Sequence, residues 1–169
     1  MPPRALYGIS IAFSFMAWGM VTALYVWPAL RLLPRARALR PLLVLHGFRF
    51  IGLTFLVPGV VSPDVPITFA RPAAYGDLMT AVLALLALAM LQSRLGLVLV
   101  WLFNLCGPAD LLYAFYQGNR TGLGYAPGQL GATYFIPTVL VPLLFITHGL
   151  VFRLLLTRDG AGVGPTQPT

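Results

Sequence analysis

Lysine and glutamate are both absent from the sequence, and only 9% of the 169 residues are charged. An ordinary soluble domain has about 25% charged residues, so this chain is not composed like one. The absence of lysine excludes a retinal pigment or another Schiff-base protein, because the imine forms on a lysine amine. The single cysteine, Cys106, excludes a disulfide framework, a two-cysteine redox motif and a thiolate metal cluster.

Catalytic motifs are absent as well. The chain has no G-x-S-x-G, no H-E-x-x-H, no glycine-rich phosphate loop and no adjacent pair of carboxylates. His46 could act as a base toward a lipid headgroup, but no nucleophile accompanies it. An enzyme is therefore not indicated.

Long apolar runs dominate the chain, which is 59% hydrophobic and has a mean hydropathy of +0.85. Each run is near the ~20 residues that cross a ~30 Å hydrocarbon core as an α-helix. The runs are continuous, whereas the strands of a membrane barrel alternate apolar and polar residues. They cover approximately residues 6–30, 42–61, 73–91, 95–117 and 133–156.

We predict an all-α integral membrane protein. Residues 1–156 form one five-helix transmembrane bundle in this interpretation, and a glycine-rich cytoplasmic tail at 157–169 is too short to bury a core and is disordered. The first run is longer than the apolar region of a signal peptide, so we interpret it as a retained helix. Three prolines predict that the connection Ser62–Pro72 is extended.

The arginines predict the orientation of the bundle. Three of them, Arg4, Arg71 and Arg120, lie at one end of the predicted helices. Seven lie at the other end: Arg31, Arg35, Arg37, Arg40, Arg94, Arg153 and Arg158. The positive-inside rule places the larger group in the cytoplasm, with the N-terminus outside and the C-terminus cytoplasmic.

The same charges predict partners. Anionic lipid headgroups are expected at the cluster of Arg31, Arg35, Arg37 and Arg40. Nucleic acid is not expected, because no soluble domain is present to carry a reading element. Abundant arginine, alanine and glycine without lysine or glutamate suggest a bacterial inner membrane, and the small size permits a homo-oligomer or a larger membrane complex.

Six polar side chains lie inside the apolar runs: His46, Arg49, Asp77, Asn104, Asp110 and His148. A charge at the bilayer centre costs at least ~2.5 kcal/mol, so such residues face the bundle interior and find partners there. Helical spacing places His46 and Arg49 on one face of the second helix, together with Phe50 and Leu53.

The depth of each residue follows from a rise of ~1.5 Å per residue. His46 and His148 are expected ~8 Å and ~12 Å from the cytoplasmic end, and Asp77 and Asp110 ~6 Å and ~10 Å from the outer end. Arg49 lies between these levels. We expect it to reach Asp110, and Asp77 less easily.

Prolines predict kinks in the fourth and fifth helices. Pro108 has no N–H, and its ring presses against the carbonyl of Asn104. We expect this carbonyl, the Asn104 amide and the Asp110 carboxylate to cluster beside a cavity. Pro137 and Pro142 predict a loosened fifth helix in the same way.

The polar residues predict a site that binds or translocates a small solute or protons. Two acids against one arginine leave a surplus negative charge, which a site of low dielectric resolves by taking up a proton or a cation. In this hypothesis Arg49 and Asp110 form the central pair, Asp77 lies at the outer entrance, and His46 and His148 lie at the inner one. The plainer interpretation, that the Arg–Asp pair only locks helices together, stays open.

Two alternatives remain. The first is an electron-transfer protein with a b-type haem, in which His46 and His148 are the axial ligands and the glycine after each leaves room for the macrocycle. A hydrogen bond between the two helices is a simpler use of these histidines, and two histidines alone make an incomplete zinc or copper site. The second alternative is a non-catalytic accessory subunit of a larger membrane complex.

Overall fold

The computed structural model describes residues 1–157, so all but the first residue of the predicted tail, and Arg158 with it, lie outside the described residues. The described part is helical and contains five long helices. They are α1 (Pro3–Leu30), α2 (Arg35–Leu56), α3 (Ile67–Ala89), α4 (Arg94–Arg120) and α5 (Ile136–Leu156). Each is long and apolar enough to cross a membrane. A short 3-10 segment, Pro127–Tyr134, which is interrupted by a kink at Gly131, precedes α5.

Helices α2 and α3 begin seven and six residues earlier than predicted, because hydropathy does not detect polar helix ends. Helix α2 begins at Arg35, inside the arginine cluster, and α3 begins at Ile67, directly after Pro66. The prediction that Ser62–Pro72 is extended is therefore wrong from Ile67 onward. Pro72 is tolerated in the second turn of α3, since the Gln117 side chain donates to the carbonyl of Thr68, which proline leaves unpaired (3.4 Å).

Helix α2 changes its winding in the middle. Residues Arg35–Gly47 are α-helical, whereas Phe48–Leu56 form a 3-10 helix. Its buried residues, Arg49, Gly52 and Phe55, recur every third position, as three residues per turn require. The expected α-helical face is wrong here, because Phe50 is exposed. The larger rise of a 3-10 helix also explains why α2 ends at Leu56, five residues before the predicted end.

Two other helices contain a π-helical turn. It covers Thr22–Val26 in α1 and Ile136–Leu140 in α5, where it includes Pro137. The carbonyl of Val139 in this turn accepts a hydrogen bond from the indole N–H of Trp18 (3.1 Å), which ties α1 to α5. Helix α4 is α-helical through Pro108. The kink expected there stays a prediction.

The core consists of two apolar clusters, one near each end of the bundle. The first includes Leu30, Leu39, Ala87, Val100 and Leu154, at the end where α2 begins, hereafter the Arg35 end. The second lies at the end where α5 begins, hereafter the Tyr134 end. It includes Phe55, Phe69, Leu111, Leu130 and Ile136. Six polar side chains, hereafter the polar layer, lie between the two clusters: His46, Arg49, Asp77, Asn104, Asp110 and His148.

Helix α3 is the centre of this arrangement and packs against both α2 and α4. From Thr80 onward its buried face is made of small side chains: Thr80, Ala81, Ala84 and Ala87. Small residues allow helix backbones to approach closely. Helix α1 is peripheral, because none of its residues from Pro3 to Val26 is buried.

The small face of α3 predicts the effect of a larger side chain. We expect Ala84→Leu to lower the unfolding free energy by about 1–3 kcal/mol, because Ala84 is fully buried and overpacking forces its neighbours apart. Ala89→Leu, at an exposed position of the same helix, is the matched control. Thermal unfolding in detergent measures both variants, and equal midpoints would contradict close packing at Ala84.

Candidate functional site

The centre of the polar layer is Arg49, of which only 2% is exposed. Its Nε donates to Asp77 Oδ1 and its Nη2 to Asp110 Oδ2, each at 2.7 Å. One guanidinium of α2 thus bridges an acid of α3 and an acid of α4. Charge-assisted pairs of this length are among the stronger hydrogen bonds in proteins.

The expectation that Asp77 is shallow and harder to reach than Asp110 is wrong. Helix α3 begins at Ile67, which places Asp77 about 15 Å from the helix start at ~1.5 Å per residue. Asp110 lies about equally far from the end of α4 at Arg120, by the same rise of ~1.5 Å per residue. Both acids therefore lie at the depth of Arg49, and Asp77 does not lie at an entrance.

The remaining nitrogen of Arg49 faces α4 and α5. Nη1 lies 3.5 Å from the carbonyl of Gly107 and 3.4 Å from Nε2 of His148. Arginine has only donors, so His148 Nε2 accepts in this contact. The guanidinium of α2 thereby contacts groups from three other helices, α3, α4 and α5.

Asn104 determines which ring nitrogen of His148 carries the proton. The Asn104 amide nitrogen donates to the carbonyl of His148 (3.3 Å), which directs its Oδ1 to His148 Nδ1 (2.7 Å). Nδ1 therefore carries the proton and Nε2 has the free lone pair, a tautomer assigned from the hydrogen-bond network. His148 is neutral in this arrangement. The expected cluster of the Asn104 amide with Asp110 is not formed, since Asn104 binds His148 and Asp110 binds Arg49.

His46 lies beside His148 and is fully buried. Its Nε2 lies 3.0 Å from the hydroxyl of Thr147. That hydroxyl has one proton, which it donates to a carbonyl of its own helix, so His46 Nε2 is the donor. His46 Nδ1 has no hydrogen-bond partner among residues 1–157. The two histidines belong to the same layer as Arg49 and do not form an inner entrance.

The histidines do not fit a haem between them. Their ring centroids are 4.2 Å apart, and both rings contact Phe103. Axial ligation requires two metal–nitrogen bonds of about 2 Å with the macrocycle between the rings, which in-contact imidazoles leave no space for. Both nitrogens of His148 are also engaged. No group of three or more metal-ligating His, Cys, Asp or Glu side chains occurs in the described range.

Three glycines make the close approach of the charges possible. A Cβ on Gly52 would overlap the Asp77 carboxylate, and one on Gly76 would overlap that of Asp110. A Cβ on Gly107 would overlap the ring of His148. Each glycine belongs to one helix and faces a side chain of a neighbouring helix. The missing Cβ therefore lets the two helices approach closely.

Sequence reasoning missed these glycines and Thr147. The three-residue spacing from Arg49 to Gly52 is the signal for the first, once the 3-10 winding is known. Gly76 directly precedes Asp77, and Gly107 directly precedes Pro108. Thr147 is the neighbour of His148 in sequence, but only the orientation of α5 brings its hydroxyl to His46.

A cavity leads from the Tyr134 end to the two acids. It encloses about 630 Å³ including its mouth. Asp77 and Asp110 are part of its lining, Phe69 and Phe115 belong to its apolar wall, and the exposed Asn119 lines it close to the end of α4. A smaller space of about 340 Å³ is lined by Arg49 and Asp77. The larger cavity is thus a mostly apolar space with two carboxylates in its lining.

The glycine contacts predict a steric requirement. We expect Gly76→Ala to lower the thermal midpoint strongly, because its Cβ would occupy the position of the Asp110 carboxylate. Gly149→Ala is the control, since a Cβ there meets nothing within 4 Å. Circular dichroism melts in detergent compare the two variants. A Gly76→Ala protein as stable as the parent would show that α3 and α4 do not approach closely at the ion pairs.

A family model described as "Domain of unknown function (DUF8737)" matches residues 6–156. The matched range includes all six polar residues of the layer. No curated protein and no solved structure matches the chain.

Proposed function

This chain belongs to the DUF8737 family, and we propose that it is a membrane protein that binds a small solute or protons at Arg49, Asp77 and Asp110 and moves them across the bilayer. The observation that carries the proposal is the sharing of one buried guanidinium by two carboxylates, of which Asp77 is buried and Asp110 is partly buried. With both acids ionised the group has one surplus negative charge. A medium of low dielectric favours uptake of a proton or a cation by such a group.

The carboxylates retain acceptor capacity for this uptake. Arg49 engages one oxygen of each acid, and the second oxygens, Asp77 Oδ2 and Asp110 Oδ1, have no hydrogen-bond donor in the part of the chain that the structure describes. A carboxylate oxygen can accept two hydrogen bonds. Both acids line the larger cavity, so a proton or a small solute can reach them from the Tyr134 end.

The site is closed in the opposite direction. The first apolar cluster, with Leu39, Leu43 and Phe103, fills the bundle between the histidines and the Arg35 end. A site open to one side and closed to the other is what alternating access requires of a transporter. His148 and His46 continue the polar layer away from the cavity and are the groups that a proton would meet after Arg49.

We further propose that the Arg35 end faces the cytoplasm of a bacterial inner membrane, with the N-terminus outside. The arginines near that end then lie by anionic headgroups: Arg31, Arg35, Arg37 and Arg40. Arg153 supports a position at the interface, because it stacks on Trp27 at 3.8 Å.

Labelling of engineered cysteines tests this orientation. In a Cys106→Ala background, Asp64→Cys is expected to react with a membrane-impermeant maleimide on intact cells, and Gln92→Cys only after permeabilisation. Both positions are exposed and lie in connections at opposite ends of the bundle. If Gln92→Cys and not Asp64→Cys were labelled on intact cells, the protein would have the opposite orientation to the one proposed.

Proton flux tests the role of the acids. Proteoliposomes that enclose a pH-sensitive dye, with the membrane potential clamped by valinomycin and potassium, should dissipate a pH gradient faster than empty vesicles. We expect Asp110→Asn to slow this flux at least about tenfold, the effect of about 1.4 kcal/mol on a barrier. Loss of the carboxylate removes the surplus charge that takes up the proton.

Asp64→Asn is the matched control, because Asp64 is exposed and its hydrogen bonds within residues 1–157 stay in its own loop. It should conduct like the parent. Size-exclusion profiles and melting curves show whether each variant is folded. Equal flux through the parent and a folded Asp110→Asn protein would refute the proposed role of this carboxylate.

A further inference from the structure

We propose that the larger cavity binds a protonated organic amine with an apolar body, with its ammonium group on Asp77 and Asp110. This inference rests on the proposed function for the role of the two acids and adds the chemical class of the solute. It follows from the shape, the lining and the charge of the cavity.

The size of the cavity exceeds what a proton or a metal ion needs. Asp110 and Gly118 both line it and are eight residues apart on α4, which is about 12 Å along the helix at ~1.5 Å per residue. A proton path needs only a narrow file of water.

The lining is apolar and aromatic over most of this length. Phe55 and Phe69 pack edge to face at 5.3 Å, and Tyr7 packs in the same way on Tyr134 at 5.8 Å. Rings in such pairs present both faces and edges to a ligand. These side chains favour an apolar ligand body and offer little to a sugar or another polyhydroxylated solute.

The charge selects the head group. Asp77 and Asp110 are the acids of the lining, and none of the described residues that line the cavity is basic. An anion would meet two carboxylates, while Arg49 directs its donors to them and to α4 and α5. An ammonium group supplies both the compensating charge and the N–H donors that the second carboxylate oxygens lack.

Three ligands of equal length test the class. Phenylpropylamine, phenylpropanol and phenylpropionate share one apolar body and differ in the charge of the head group. Calorimetric titration uses the protein in nanodiscs of zwitterionic lipid, with empty nanodiscs as the blank for partitioning. We expect saturable binding of the amine, at least tenfold weaker binding of the alcohol and no saturable binding of the carboxylate.

Variants locate the binding. Asp110→Asn should weaken amine binding at least tenfold, whereas Asp64→Asn should leave it unchanged. Ala114→Phe fills the cavity without changing a charge and should abolish it. Gly118→Ala is a milder second variant, because its Cβ would make ordinary contact with Phe69. It should lower the affinity for the amine measurably.

The outcomes separate this inference from the function on which it rests. Equal affinity for amine and alcohol, or amine binding that survives folded Asp110→Asn, would overturn the inference. If the parent binds no amine while Asp110→Asn still abolishes proton flux, the cavity assignment fails and the proposed function stands. If neither measurement responds to Asp110→Asn, both fail.

Discussion

The ion pairs of Arg49 with Asp77 and Asp110 are the constraint on which the rest of the bundle depends. Arginine does not lose its proton in proteins, so a guanidinium that is 2% exposed needs partners of opposite charge. Breaking such a buried pair by removing one partner typically costs about 3–5 kcal/mol. The chain provides one acid on each of the two helices that pack nearest to it, at the same depth. Helices α2, α3 and α4 are thereby fixed in register as well as in distance.

Much of the surrounding sequence allows the helix backbones to come close together around the ion pairs. Short N–O distances are possible only if the backbones come close, and the glycines that face the two carboxylates provide the space. The alanine face of α3 continues the same close packing toward the Arg35 end. On the Arg35 side of the charges, the first apolar cluster excludes water, which strengthens each electrostatic contact there. Helix α1 contributes no group to this network and packs at the periphery.

Hydropathy was sufficient to predict five helices and the six polar residues that lie inside them, because both depend on composition alone. It could not predict depth correctly, since Arg35 and Ile67 begin their helices within polar or proline-rich sequence. An α-helical period predicts the buried face of α2 correctly for His46 and Arg49. It fails beyond Arg49, because the 3-10 winding there has 3.0 residues per turn and an α-helix has 3.6. The partners Asn104–His148 and Thr147–His46 depend on how α4 and α5 are rotated, which no local pattern specifies.

The 3-10 winding of Phe48–Leu56 makes this segment longer than an α-helix of the same nine residues. A 3-10 helix rises about 2.0 Å per residue and an α-helix about 1.5 Å, so these nine residues rewound as α-helix would shorten by about 4.5 Å. The same change alters the turn per residue from about 120° to about 100°. Arg49 lies at the start of the segment and would hardly rotate, whereas Phe55 would swing from the cavity wall toward the outside. Rewinding this half of α2 would therefore leave the ion-paired arginine in place and both rotate and retract the end of the helix that lines the cavity.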